Sequence, residues 1–145
     1  MLAEQIRNSL QQLDLEKVAA GNYSQSGYHI EVVAKPDQIK AVAQKMLENQ
    51  CFLESLTALD LVESFELVYH FACFTELCRT VIHVPLNKGK AAPTISSLYP
   101  AADWFEREVF DLFGIIFVGH PNLKRLILPE DADFHPLLKD FVASS

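Results

Sequence analysis

Apolar residues near the start of the chain recur at helical spacing. Leu2, Ile6, Leu10 and Leu13 follow one another at intervals of four, four and three, which predicts a helix from Ala3 to Lys17. Gly21 to Gly27 (GNYSQSG) reads as a polar loop, and Tyr28 to Val33 as a short strand. Pro36 suits the first turn of a second helix, where its missing N–H costs nothing. In that helix Ile39, Val42, Ala43, Met46 and Leu47 form an apolar face, opposite Lys40, Gln44, Lys45 and Glu48.

The period then changes to two. Leu53 to Leu61, Phe65 to Phe74 and Cys78 to Leu86 predict three strands, the last two joined by a short turn at Thr75-Glu76-Leu77. Phe65, Leu67, Tyr69, Phe71 and Cys73 share one strand face, and Glu66, Val68, His70 and Ala72 the other. The second face is only half polar, so helices are expected to cover part of it. Asn87 to Pro93 reads as a solvated loop. Ala101 to Phe113 reads as a third helix stopped by Gly114, with Phe105, Val109, Leu112 and Phe113 as its buried stripe. The prediction is an α+β fold: a mixed, mainly antiparallel sheet with helices packed on it, spanning residues 1–116.

From residue 117 to 145 the helical period fades, and Pro121, Pro129 and Pro136 break the chain. The segment is nonetheless apolar, with Leu123, Leu126, Ile127, Leu128, Phe134, Leu137, Leu138 and Phe141. It reads as an extended C-terminal arm that lies across a partner protein, because large exposed apolar patches mark interaction surfaces. Lys124, Arg125 and Lys139 would offer charge contacts to the partner, or back to Glu106, Glu108 and Asp111. The alternative is that the segment wraps its own domain.

Composition narrows the function. With 12 Lys+Arg against 19 Asp+Glu in 145 residues, the formal net charge is −7, which argues against nucleic acid as a partner. The most apolar run, Leu112 to Val118, is far shorter than the roughly 20 residues of a membrane-spanning helix. The N-terminus does not read as a secretory signal, and an odd count of 3 cysteines does not suggest a disulfide framework, so a reducing cytoplasm is expected.

Candidate chemistry is sparse. Cys73 and Cys78 are expected as small buried hairpin residues, with Cys51 on another element and no fourth thiol for an iron–sulfur cluster. His70 and His83 could face each other across the hairpin, but His29, His70, His83, His120 and His135 show no metal-ligand spacing. No phosphate loop or nucleophile elbow occurs. On the third helix, Asp103–Arg107 and Arg107–Asp111 are spaced for ion pairs, and Trp104, Glu108 and Asp111 lie on one stripe. That stripe reads as a salt-bridge hub in preference to acid–base machinery. A hydrolase or transferase using Glu108, Asp111 and His120 finds no nucleophile–base geometry in its favour.

The run Trp104 to Ile115 (WFEREVFDLFGI), then Phe117 to Asp131 (FVGHPNLKRLILPED), then His135-Pro136-Leu137, resembles the C subunit of the proton-pumping NADH–quinone oxidoreductase, respiratory complex I. Ser55 to Asp60 (SLTALD) and Phe65 to His70 (FELVYH) resemble the same family, so the similarity runs from about Leu53 to Phe141. Ala132-Asp133-Phe134 replaces the family's usual Trp-Glu-Gly, Leu138 its Arg and Phe141 its Tyr. Related membrane-bound nickel–iron hydrogenases carry a homologous small subunit, which is the alternative assignment.

The resemblance implies a subunit with no active site of its own and no cofactor or metal in this chain. The iron–sulfur clusters, FMN and quinone would belong to partner subunits. Expected partners are the large quinone-site subunit, the D-type component of complex I, and neighbouring iron–sulfur subunits. The chain would sit peripherally on the cytoplasmic side of the inner membrane, reaching it only through the complex. An arm-swapped homodimer is expected in isolation. The motif and interface residues would be Glu106, Arg107, Glu108, Asp111, Gly114, His120, Pro121, Leu123, Arg125, His135, Pro136, Lys139 and Asp140.

Overall fold

The computed structural model describes residues 2–124, 135, 137 and 138. Helix α1 (Leu2–Gln11) is followed by β1 (Lys17–Ala20), a one-turn α2 (Tyr23–Ser26) and β2 (Ile30–Val33). A 3-10 turn at Pro36–Gln38 leads into α3 (Ile39–Glu48). Then come β3 (Cys51–Asp60), β4 (Ser64–Cys73), β5 (Arg79–Asn87), β6 (Ala92–Pro93), α4 (Ala101–Phe113) and β7 (Phe117–Val118).

Five strands form one sheet in the order β1-β2-β5-β4-β3. The β2–β5 pairing is parallel and the other three are antiparallel, so the fold is the predicted α+β class with a mixed, mainly antiparallel sheet. A parallel neighbour needs a long crossover, and the chain from β2 to β5 supplies it through α3 and the β3–β4 hairpin. The inward residues Val32, Leu56, Leu67, Tyr69, Phe71 and Ile82 form one core with Ile6 and Leu10 of α1, Val42 and Met46 of α3 and Val109 of α4. All three long helices therefore cover the same sheet face.

Among the described residues no helix packs on the opposite face, contrary to the expectation that helices cover part of it. Glu54, Thr57 and Leu59 are exposed there, and Glu66, His70 and His83 half-exposed. Val68 and Ala72 are buried nonetheless. Val68 lies between Thr57 and His83 in the strand register, so neighbouring side chains shelter it. His83 does not face His70. It stands opposite Val68, with Glu31 at 3.6 Å and Glu66 at 3.4 Å from its ring nitrogens.

Three other boundaries differ from the pattern. Helix α1 ends at Gln11, not Lys17: Asp14 adopts φ 53°, a left-handed conformation incompatible with helix. Lys17–Ala20 instead pairs with β2. The Gly21–Gly27 loop contains the α2 turn. The Asn87–Pro93 loop ends in a strand: Ala92 is fully buried and its N–H donates to the Ile116 carbonyl at 3.0 Å. That pairing of β6 with β7 makes Phe117 a core residue, 2% exposed.

Candidate functional site

Helix α4 and the turns around it hold most of the sequence signature. The helix spans the predicted residues and stops at Gly114, whose φ of 78° closes the last turn with an N–H to the Phe110 carbonyl at 2.8 Å. Its buried face differs from the expected stripe. Phe105, Leu112 and Phe113 are half-buried, while Ala102, Glu106, Val109 and Asp111 are buried. Glu106 thus sits on the inner face beside Ala102 and Val109, while Asp111, equally buried, lies on the opposite side of the helix.

Glu106, with no exposed surface, is held by the segment just before its own helix. One carboxylate oxygen accepts the Thr94 hydroxyl and the other the Ile95 N–H at 2.9 Å. Thr94 Oγ1 in turn accepts the Ser96 N–H at 3.1 Å. Burial pushes the Glu106 pKa up, opposed by the Thr94 and Ile95 bonds and by His120. Tyr69 is buried on β4, and its hydroxyl has no hydrogen-bond partner among the described residues. Burial and the nearby Glu106 charge raise its pKa. Glu106 is therefore bonded inside the domain, not offered to a partner. Thr94 was missed in the sequence, because a side-chain pair 12 residues apart across an irregular turn leaves no periodic signal.

His120 is anchored on both ring nitrogens. Nε2 lies 3.1 Å from the Asp103 carbonyl oxygen and 3.4 Å from Asp103 Oδ1, while Nδ1 accepts the Asn122 N–H at 3.0 Å. This fixes the Nε2–H tautomer. Asp103 thus turns to His120 and not to Arg107, and Arg107 Nε has no hydrogen-bond partner among the described residues. Pro121 borders a polar cleft of about 460 Å³ with Lys40, Thr94, Ser96 and Asp103. Leu123 packs against the core.

The described tail residues also return to α4. His135 Nδ1 bonds the Asp111 carbonyl oxygen at 3.0 Å, and the Leu137 N–H donates to the Leu112 carbonyl at 3.0 Å. Leu138 packs against the core cluster. At these positions the chain packs on its own domain. Arg125, Pro136, Lys139 and Asp140 lie outside the described residues.

Trp104 and Glu108 remain accessible, Trp104 at 56% exposure and Glu108 in part. Glu108 borders a narrow cleft of about 120 Å³ with Leu56, Ala58, Val109, Phe113 and Leu137. The stripe expected to unite Trp104, Glu108 and Asp111 is divided, since Asp111 is fully buried. Among the described residues, no group of three or more His, Cys, Asp or Glu is disposed to hold a metal ion. No helix among them is long and apolar enough to cross a membrane. What the arrangement does chemically is fasten: Glu106, His120 and His135 tie the turns before and after α4 to the helix.

The family model described as respiratory-chain NADH dehydrogenase, 30 Kd subunit, matches residues 32–145. The chain belongs to that family. Its curated relatives include the NADH-quinone oxidoreductase C subunit of Roseiflexus sp. (strain RS-1), 39% identical over 119 residues, covering 77% of this chain and 68% of the relative. The C subunit of Rhodobacter capsulatus is 47% identical over 92 residues, covering 61% of this chain and 46% of the relative. That of Dinoroseobacter shibae (strain DSM 16493 / NCIMB 14021 / DFL 12) is 42% identical over 117 residues, covering 76% and 54%. The chain thus spans about half the length of the last two relatives. A chain in the structure of the membrane-bound sulfane sulfur reductase, an archaeal respiratory membrane complex, shares the fold. It has a TM-score of 0.83 at 23% identity, over 96% of this chain and 84% of that one.

Proposed function

We propose that the chain is a non-catalytic assembly subunit in the hydrophilic arm of an NADH–quinone oxidoreductase, docking on the large quinone-site subunit. It would sit peripherally on the cytoplasmic side of the membrane, with the iron–sulfur clusters, FMN and quinone held by partner subunits. Family membership supports the reading. The observation that carries it is an apolar strip beside the signature helix. Leu59, Leu61 and Val62 at the β3–β4 turn, and Leu137 next to them, are 48, 52, 66 and 51% exposed. Leu59, Leu61 and Leu137 border a shallow cleft of about 280 Å³ with Ala58 and Phe113. Aliphatic side chains clustered at an edge-strand end are the kind of surface a partner subunit dehydrates.

The second reading is the equivalent subunit of a membrane-bound nickel–iron hydrogenase. It is kept because the same fold occurs in a respiratory complex of different chemistry. A tagged chain at native expression level, purified from solubilised membranes, distinguishes the two. Recovery with a large subunit lacking nickel-ligand cysteines, together with iron–sulfur proteins, supports the first. A large subunit bearing those cysteines supports the second, and recovery of the chain alone overturns both.

A further inference from the structure

All three cysteines converge at one end of the sheet. Cys51 opens β3 and stands directly opposite Cys73, the last residue of β4. The Cys73 N–H donates to the Cys78 carbonyl on the β5 side. In an antiparallel strand a residue's N–H and C=O point the same way, so Cys73 turns its backbone away from β3. The Cys51 carbonyl likewise faces away from β4, where the Tyr99 hydroxyl donates to it at 2.8 Å. Cys51 and Cys73 are therefore a non-hydrogen-bonded cross-strand pair, the register in which side chains lie closest and α-carbons are about 4.5 Å apart. That spacing is within the range a disulfide bridges. The two sulfurs are already in contact, 2.7 Å apart. Cys78 follows Cys73 across a turn whose Phe74 and Leu77 are 76 and 57% exposed.

We propose that Cys51 and Cys73 form a reversible, oxidant-dependent disulfide: a modification site that pins the ends of β3 and β4 together. The oxidant class is a small disulfide such as oxidised glutathione. Cys73, at 9% the most exposed of the three cysteine residues, attacks one sulfur as its thiolate, forms a mixed disulfide and releases one small thiolate. The Cys51 thiolate then attacks Cys73 Sγ, closes the protein disulfide and releases the second small thiolate. The two protein protons end on the two released thiols, so one small disulfide is reduced as two protein thiols are oxidised. Burial pushes the Cys51 thiol well up, which slows its attack on the mixed disulfide.

The test uses the full chain, reduced and then equilibrated with oxidised glutathione under native conditions. Cleavage after glutamate at Glu54, Glu66 and Glu76 puts the three cysteines on separate peptides for mass spectrometry. The expected result is a Cys51–Cys73 linked peptide, with Cys78 free, that dithiothreitol reverses and that forms equally in Cys78→Ser. Cys51→Ala should stop at a glutathione adduct on Cys73. Three free thiols after oxidation, a link through Cys78 or between two chains, or loss of the link in Cys78→Ser would each overturn the proposal. Circular dichroism before and after verifies that every species compared is folded.

Discussion

His135 lies against Gly114 so closely that a β-carbon on residue 114 would sit 2.9 Å from its Cδ2 and Nε2. The same glycine has a φ of 78°. Two separate constraints thus exclude a side chain here: the helix needs a left-handed residue to stop, and the returning histidine needs the space above it. Gly114→Ala is expected to cost about 1–2 kcal/mol through the backbone alone, and more because the ring must move. The discriminating measurement is amide exchange. The Leu137 N–H, bonded to Leu112 in the parent, should lose protection in the variant, while Leu67 and Ile82 in the central strands keep theirs.

Glu106 supplies a pH prediction. Its pKa in the folded chain is raised above the ordinary glutamate value of 4.5, chiefly by burial. Between the unfolded and folded values the folded state holds a proton that the unfolded state has released. Its contribution is complete below about 4.5 and declines as pH rises through the folded value. Glu106→Gln removes this dependence, so its stability relative to the parent should improve from acid toward neutral pH. Denaturant titrations across that range check the slope. Glu106→Ala should lose about 1–3 kcal/mol at any pH, since the Thr94 hydroxyl and Ile95 N–H are left without an acceptor.

Glu31 behaves in the opposite sense. The Lys17 ammonium and the Tyr28 hydroxyl hold its pKa below 4.5. The stability it contributes is present above that value and is lost as pH falls through the folded one. Glu31→Gln should flatten the acid limb of the stability profile and loosen β1, which amide exchange at Ala19 and Gly21 would report.

Val62 is a β-branched residue at φ 75°, 66% exposed at the β3–β4 turn. Its N–H is bonded to Asp60 Oδ1 at 2.9 Å, and Lys88 Nζ reaches the same oxygen at 2.7 Å. Relief of the left-handed strain should outweigh the entropy cost of glycine, so Val62→Gly is expected to gain about 0.5–1 kcal/mol. If Val62 belongs to the docking strip, the same variant weakens assembly while raising the unfolding midpoint.

The fold was legible where periodicity was strong. The period-two runs gave β3, β4 and β5 to within about two residues, and the stretch from Ala101 to Gly114 gave α4 and its stop. It failed where a short strand is defined only by its partner. Lys17–Ala20 continues a helical stripe in sequence, and only pairing with β2 makes it β. The inner face of α4 was misread because hydrophobicity ranks Phe105 and Leu112 above Glu106, whereas two hydrogen bonds reverse the order. Family resemblance selected Glu106, Gly114, His120 and His135. Their internal bonds depend on Thr94, Ile95, Asp103 and Asp111, which the resemblance did not pair with them.

Docking of the proposed kind requires that a partner subunit cover the strip at Leu59, Leu61 and Val62. The direct measurement is the size of the complex carrying a tagged Leu61→Asp chain, resolved from solubilised membranes, beside the thermal midpoint of the same purified variant. The predicted result is an unchanged midpoint and a chain that no longer migrates with the large subunit. A variant that assembles as the parent does would contradict docking through this strip.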